Sequence, residues 1–465
     1  MWVALPMCAS IMLLSATSQV GDEVAPIPFL WVLTLAIYLV SFIVTFEWPA
    51  LYDRPLCGLG LLASPWVYFF MLLTPEAGLR ELLGGHTAVL LCVCMVCHGE
   101  LYRLRPAPQR LTAYYLGISA GGAMGGAFVS LIAPLIFTFN AEYFLGIFGA
   151  IALWFAFLFI DRDSTFYRGA MRPAWLGLIM VVALSGYLIR ITAASLDEFI
   201  VMRMRNFYGT LALRILDDDK NPDQQYMRLE HGRITHGSQL RGKDPAVRRL
   251  PTLYYGPHTG VGMMMGFHPS LGHRRVGVVG LGAGTMATWG DKGDVYRFYE
   301  INPQVLELAQ DQFTYLSECE AEVDVIMGDA RLSLEHEEPQ NFDVLVLDAF
   351  SGDAIPVHLL TLEAFKLYDR HMAKDGVIAV NVTNRYLDLH PIVHRIAKEL
   401  GYEVAFVMTP EVKERTIAEA HWVLLSRNGD IFNHPIVSQV AERPQGTPRV
   451  SLWTDEYASV REVMR

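Results

Sequence analysis

Residues 274–285 read RRVGVVGLGAGT: a short apolar run, Val276 to Val279, that empties into Gly280-Leu281-Gly282-Ala283-Gly284-Thr285. β-branched residues followed at once by glycines at alternate positions predict a strand over 274–280 that ends in a tight turn whose backbone a ligand can approach. The pattern is G-x-G-x-G. It stops short of the dinucleotide fingerprint, because Thr285 stands where the last glycine belongs, and a nicotinamide cofactor is therefore disfavoured.

Working outward, the chain after Leu271 repeats strand, turn and helix. Strands are predicted over 294–300, 322–327, 342–348, 376–382, 403–407 and 421–426, with helices over 304–313, 358–372 and 391–400. Near-continuous apolar strands alternating with helices imply a mainly parallel sheet covered on both faces, with its ligand at the carboxyl ends of the strands. Acids stand at three successive ends: Glu300, then Asp329 with Ala330, then Asp348. A carboxylate after the second strand suits two ribose hydroxyls, and one after the third suits an adenine edge. The competing account is a bare α/β scaffold whose carboxylates cap helices.

Between about Arg205 and Leu271 the runs are shorter. Strands over 207–216, 226–230 and 233–236, with a connection rich in Asp and Asn after the first, predict a small antiparallel sheet. His231 and His236 flank a glycine turn and shape it, and no acid–histidine spacing marks a metal site. The segments HGRITHGSQ and PTLYYGPHTGVG then suit a loop lying over a ligand.

The first 200 residues are of another kind. The 465-residue chain is 52% hydrophobic and 18% charged, with mean hydropathy +0.28, too apolar for an ordinary soluble protein of this size. Those 200 residues hold 9 Arg, no Lys and 12 acids, leaving 28 basic and 36 acidic residues for the rest. Neither half carries the basic surplus that nucleic acid requires of a partner. Five of six cysteines lie in apolar runs, so no disulfide framework is implied. Spans are predicted over 2–17, 28–47, 56–74, 85–101, 113–137, 142–160 and 174–191, about six or seven in all. No basic region precedes Arg54, so residues 1–17 read as a membrane segment rather than a signal peptide, and the abrupt start suggests a chain shortened relative to longer relatives.

Arginines cluster at 102–112 and 161–173, which places both loops in the cytoplasm and, after one more span, the second half outside. Arg190 at the end of the last span, Arg203 and Arg205 after it, and chemistry that needs a cytosolic metabolite argue the other way. The expectation is an integral, multi-pass protein with its second half cytoplasmic. Gly117, Gly121 and Gly125 recur every fourth residue and read as a helix-packing face. Glu100 and His98, costly at membrane depth, read as reaching the interface beside Arg103. Cys94-Met95-Val96-Cys97-His98 spells a haem-attachment motif but sits inside an apolar helix, where it is a false positive.

Taken together, the glycine turn, the acid closing the second strand, the GDA turn at 328–330, and LDAF followed by a Pro-containing loop and HLLTLEAF resemble the spermidine synthase family of polyamine aminopropyltransferases. IPFLWVLTLAIYLVSFI, CHGELYRLRPAPQRLTAYYL, NVTNRYLDL and the terminal WTDEY are similar to membrane-fused spermidine synthase-like proteins. The resemblance implies a class I methyltransferase-like (Rossmann-like) fold over residues 269–430, after a transmembrane helical domain (1–198) and a β subdomain (199–268), with a C-terminal tail (431–465). It implies decarboxylated S-adenosylmethionine as co-substrate, with nothing bound permanently, and a small amine as acceptor. Asp348 would receive the amine's proton; Gly280, Gly282, Gly284, Glu300, Asp329 and Ala330 would hold the donor; Gln239, Tyr254, Tyr255 and Asp353 would line the substrate side. A bilayer and a second copy of the chain complete the partners expected.

Two departures stand out. Ala283 replaces the Asp that the family uses to hold the donor's aminopropyl nitrogen, and Ser351 replaces a second Asp, leaving Asp353 as the nearest acid. A lost charged contact costs about 1.5 to 3 kcal/mol. Ala283 also removes an acid that would repel the carboxylate of ordinary S-adenosylmethionine, which opens methyl or other alkyl transfer as an alternative. A membrane transporter that senses adenosine metabolites without turnover is the alternative of another class. Asp455 and Tyr457 either close the pocket or dock the tail.

Overall fold

The computed structural model describes residues 1–23, 28–74, 78–216, 225–232, 234–349, 356–385, 387–412 and 417–464. The chain separates into two compact units, Met1–Thr210 and Leu211–Arg465.

Among the described residues of the first unit, seven helices are long and apolar enough to cross a membrane. They are α1 (Ala4–Glu23), α2 (Pro28–Glu47), α3 (Arg54–Leu73), α4 (Leu79–Arg103), α5 (Leu111–Ala127), which continues through a π-helical stretch (Phe128–Ile132) into α6 (Ala133–Ile136), then α7 (Ala141–Ile160) and α8 (Arg172–Leu196). Asp53 caps α3 by accepting the Leu56 amide at 2.8 Å. The glycine face of α5 lies on α1: a Cβ on Gly121 would collide with the Val3 carbonyl, and one on Gly125 would stand 2.5 Å from the Met7 carbonyl oxygen. Close backbone approach, which only small residues permit, explains the spacing. A strand, β1 (Ile200–Asn206), ends the unit where none is predicted.

Glu100 is paired within the helical unit. It is fully buried, takes Nε and Nη2 of Arg54 at 2.5 Å each, and accepts the Tyr52 hydroxyl at 2.7 Å. Arg54 reaches on to Asp161 at 2.7 Å, and it is Asp161 that holds Arg103, at 3.1 Å. His98 is buried too, its Nδ1 3.0 Å from Ser41 Oγ. Cys94 and Cys97 are packed into the same helix core, which leaves no room for haem attachment.

The second unit opens with an antiparallel meander of β2 (Gly209–Leu216), β3 (Tyr226–His231) and β4 (Ile234–Leu240). The polar connection over 217–224 lies outside the described residues. An eight-stranded sheet follows, ordered β12-β10-β11-β9-β8-β5-β6-β7. Its strands are β5 (Arg275–Val279), β6 (Val295–Glu300), β7 (Glu322–Met327), β8 (Phe342–Leu347), β9 (Met372–Asn381), β10 (Glu403–Thr409), β11 (Ala420–Ser426) and β12 (Ala441–Glu442). The run β9-β8-β5-β6-β7 is parallel, as predicted. The far edge is not: β11 runs antiparallel between β9 and β10, and β12 antiparallel to β10, so the sheet is mixed. A strand inserted against its neighbours' direction reads no differently along the chain, because burial and not polarity sets its composition.

Helices α9 (Pro245–Arg248), α10 (Gly260–Phe267), α11 (Pro303–Asp311), α12 (Ala330–His336), α13 (Leu362–Arg370), α14 (His390–Leu400) and α15 (Pro435–Val440) complete the unit. The helix predicted over 358–372 is shorter at both ends. Thr361 caps α13 by accepting the Ala364 amide at 3.3 Å, and Met372 already belongs to β9. Val276, Val278, Phe298, Val344, Val346, Ala379, Trp422 and Leu424 form the core beneath the site. Arg274, 1% exposed, is held by Asp294 and by the Trp289 carbonyl at 2.7 Å, and so anchors the start of the glycine-bearing strand.

Candidate active site

Strand β5 delivers the glycine turn, and all three glycines adopt left-handed backbone angles: φ is +97° at Gly280, +56° at Gly282 and +82° at Gly284. That is a conformation side chains resist. The close approach that the turn permits is made by the protein itself. A Cβ on Gly280 would strike the Asp348 carbonyl at the tip of β8, and one on Gly282 the His236 carbonyl of β4. Ala283 is 1% exposed, and a Cβ on Gly237 would collide with its methyl. The turn is thus sandwiched between the sheet and the meander, a role no local pattern distinguishes from ligand contact.

Glu300, 8% exposed at the end of β6, braces the turn. Its Oε2 accepts the Leu281 amide at 3.0 Å and its Oε1 the Asn302 amide at 2.8 Å. Burial raises its pKa and the amides of Asn302, Leu281 and Ile301 pull it back. These three amides leave one of the carboxylate's four lone-pair sites, which suits a single ribose hydroxyl.

Asp348 follows β8. Its Oδ2 accepts the Tyr255 hydroxyl and its Oδ1 the Asn381 Nδ2 at 2.7 Å. Burial pushes its pKa up to about 6 against the pull of these two donors, and the same burial, with the Asp348 charge, drives the Tyr255 phenol well above its usual range. A carboxylate gripped by donors only, and poised near neutrality, has the properties of a general base.

The remaining residues are placed differently. Asp329 caps α12, its Oδ1 accepting the Leu332 amide at 2.9 Å, while its Oδ2 lies 3.0 Å from His358 Nε2. The helix-capping account of this acid is therefore correct for one oxygen. Asp329 faces a cleft of about 620 Å³ lined also by Arg331, His358, Thr361, Asp455 and Tyr457. Ala330 is the buried first residue of α12. Asp455 docks the tail: it takes Arg331 at 2.8 Å and the Thr361 hydroxyl at 2.8 Å, and Arg331 holds its pKa down at about 2. Tyr457 lines the cleft half-exposed.

Gln239 is 4% exposed and its amide is engaged by protein, donating to Thr314 Oγ1 at 2.9 Å and to the Arg248 carbonyl at 3.1 Å, and accepting the Thr314 amide at 2.9 Å. It is a bracket for the segment after α11. Tyr254 is directed toward the Thr235 carbonyl, at 3.4 Å. Asp353 and Ser351 lie outside the described residues. The structure thus gathers the glycine turn, Glu300, Tyr255 and Asp348, with Asp329 at the neighbouring strand end. Asn381 joins them: it closes the apolar run VIAV and opens the stretch NVTNRYLDL, where the resemblance assigns it no role.

A polyamine aminopropyltransferase from Vibrio vulnificus is 28% identical over 130 residues. Over that stretch the chain resembles a polyamine aminopropyltransferase. The match covers 26% of this chain and 42% of that relative, so the chain spans about two fifths of the curated protein it matches. A probable spermidine synthase from Corynebacterium glutamicum is 20% identical in structure comparison, over 46% of this chain and 76% of that one, with TM-score 0.38. Spermidine synthase from Thermotoga maritima is 14% identical over 55% and 81%, with TM-score 0.37. No protein-family model matches the chain.

Proposed function

We propose that the protein is a membrane-anchored, spermidine synthase-like transferase that moves an aminopropyl group from decarboxylated S-adenosylmethionine to an amine. The observation that carries this reading is Asp348, held by Tyr255 and Asn381 beside the glycine turn that Glu300 braces. An alkylamine carries its proton at pH 7, and removing it costs roughly 4 to 5 kcal/mol. Asp348 orients the amine and takes that proton. The amine nitrogen then attacks the carbon beside the sulfonium, the carbon–sulfur bond breaks, and its electrons leave with sulfur as neutral methylthioadenosine. Glu300 holds the ribose and Asp329 the adenine amino group. The apolar helices anchor the enzyme in a bilayer. Full-length protein in detergent, given decarboxylated S-adenosylmethionine and putrescine, is expected to release methylthioadenosine; no release with any common polyamine would remove the reading.

Methyl or other alkyl transfer from ordinary S-adenosylmethionine is the second reading, and position 283 favours it, because a buried methyl stands where a carboxylate would repel that donor. Isothermal titration separates the two. Tighter binding of ordinary S-adenosylmethionine than of its decarboxylated form supports the second reading and counts against the first.

A donor made in the cytosol places the catalytic unit on the cytoplasmic face. Green fluorescent protein fused after Arg465 is expected to fluoresce, whereas activity from an alkaline phosphatase fused there would put the unit outside.

A further inference from the structure

Asp348 is gripped from two sides, and the second grip belongs to the first residue of NVTNRYLDL. Asn381 ends β9, is 1% exposed, and donates its Nδ2 to Asp348 Oδ1 at 2.7 Å. An amide side chain can present either end to a neighbour, but here the choice is forced. Asn381 Oδ1 accepts the Thr383 backbone N–H at 3.0 Å, a group that can only donate, and the Thr383 hydroxyl at 2.6 Å. That hydroxyl is itself oriented, because its oxygen accepts the His421 backbone N–H at 2.9 Å and its proton is left for Asn381. The series from β11 through Thr383 and Asn381 therefore runs with every donor directed toward Asp348, while Tyr255 supplies the donor to the other oxygen.

We propose that Asn381 is a positioning residue for the transfer reaction: it holds Asp348 ionised and turned toward the amine, and Thr383 sets the direction of the amide. The inference rests on the reading of Asp348 as proton acceptor. A donor favours the charged form of the carboxyl it touches, so Asn381 works against burial. The groups that shift Asp348 are burial itself, Tyr255 from the segment ahead of α10, and Asn381 from β9; Tyr254 stands beside Tyr255, and Glu300 braces the adjoining glycine turn. Without Asn381, burial is opposed by Tyr255 alone, and Asp348 holds its proton to higher pH.

The test reads protonation directly. Full-length protein in detergent is treated with a water-soluble carbodiimide and an amine nucleophile across about pH 4 to 8, and modification of the peptide bearing Asp348 is measured by mass spectrometry. A carboxyl reacts through its protonated form, so the wild-type midpoint is expected near about 6. Asn381→Leu should move it up by about one unit and lower kcat roughly tenfold or more, with the donor KM within about twofold. Thr383→Val, which leaves the backbone N–H in place, should move the midpoint the same way by less, and it carries the test if Asn381→Leu does not fold. An unmoved midpoint in the folded variants overturns the proposal. Wild-type protein without turnover would end the aminopropyl-transfer reading, and the labelling would still decide what Asn381 does to Asp348.

Discussion

Asp348→Asn is expected to lower kcat by roughly 10² to 10⁴-fold, the range that a positioned general base supplies, while donor affinity stays within about threefold. Asparagine keeps the shape and can still accept from Tyr255, so the donor's surroundings at Glu300 and the glycine turn are undisturbed. What disappears is the site for the amine's proton. In the wild type, kcat/KM should fall as pH drops through about 6, because the native carboxyl is pushed up to that value by burial and becomes protonated there.

Stability carries the opposite sign. The unfolded carboxyl ionises near ~3.9 and the native one at about 6, so between those values the folded protein holds a proton that the unfolded chain has released. The contribution of Asp348 to stability therefore falls as pH rises through that window, and above it burial of the charge is a standing cost. Asp348→Asn should remove this dependence, although its amide nitrogen then faces the Asn381 donor and lowers the melting temperature by an amount that does not vary across that window. Activity and thermal unfolding followed together across pH check both signs. A melting temperature that varies across that window in the variant as it does in the wild type would mean that Asp348 is not the group titrating there.

The second large effect lies in the helical unit. Glu100→Leu leaves Arg54, itself nearly buried, with Asp161 as its remaining acid. Removing one partner of a buried pair costs about 3 to 5 kcal/mol, which for a unit of this size lowers the melting temperature by roughly 6 to 20 °C. The double variant Glu100→Leu with Arg54→Met should recover most of the loss, because no uncompensated charge remains. Thermal unfolding in detergent measures both. An unchanged melting point in the single variant would show that the pair contributes nothing to stability, and would return Glu100 to the transporter-and-sensor alternative, which its present engagement by Arg54 and Tyr52 does not favour.

Much of this arrangement is local in origin and could be read along the chain. The parallel strands β5 to β9 and the capped helices after them follow from apolar runs, turn residues and periodicity. Helix α13 was overextended because 358–360 is apolar enough to pass for helix, whereas the Thr361 cap starts it later. Gln239 shows another limit: an amide beside a glycine-rich loop has the composition of a binding residue, and its contacts with Thr314 and Arg248 are visible only in the fold. For Glu100 the nearest arginine in sequence, Arg103, is not the partner; Arg54, 46 residues away, is.

The order of residues was by itself sufficient for a helical half too apolar for water, a glycine turn at a strand tip, and acids closing the neighbouring strands. Each rests on interactions within a few residues, and short-range sterics and burial write those directly into composition. The tertiary structure alone decided what surrounds Asp348. Tyr255 and Asn381 lie 93 and 33 residues from Asp348, and only the crossing of the sheet brings their donors to its two oxygens. It also decided that the glycines serve the close packing of β4 and β8, since a turn that admits a ligand and a turn that admits another backbone demand the same missing side chain.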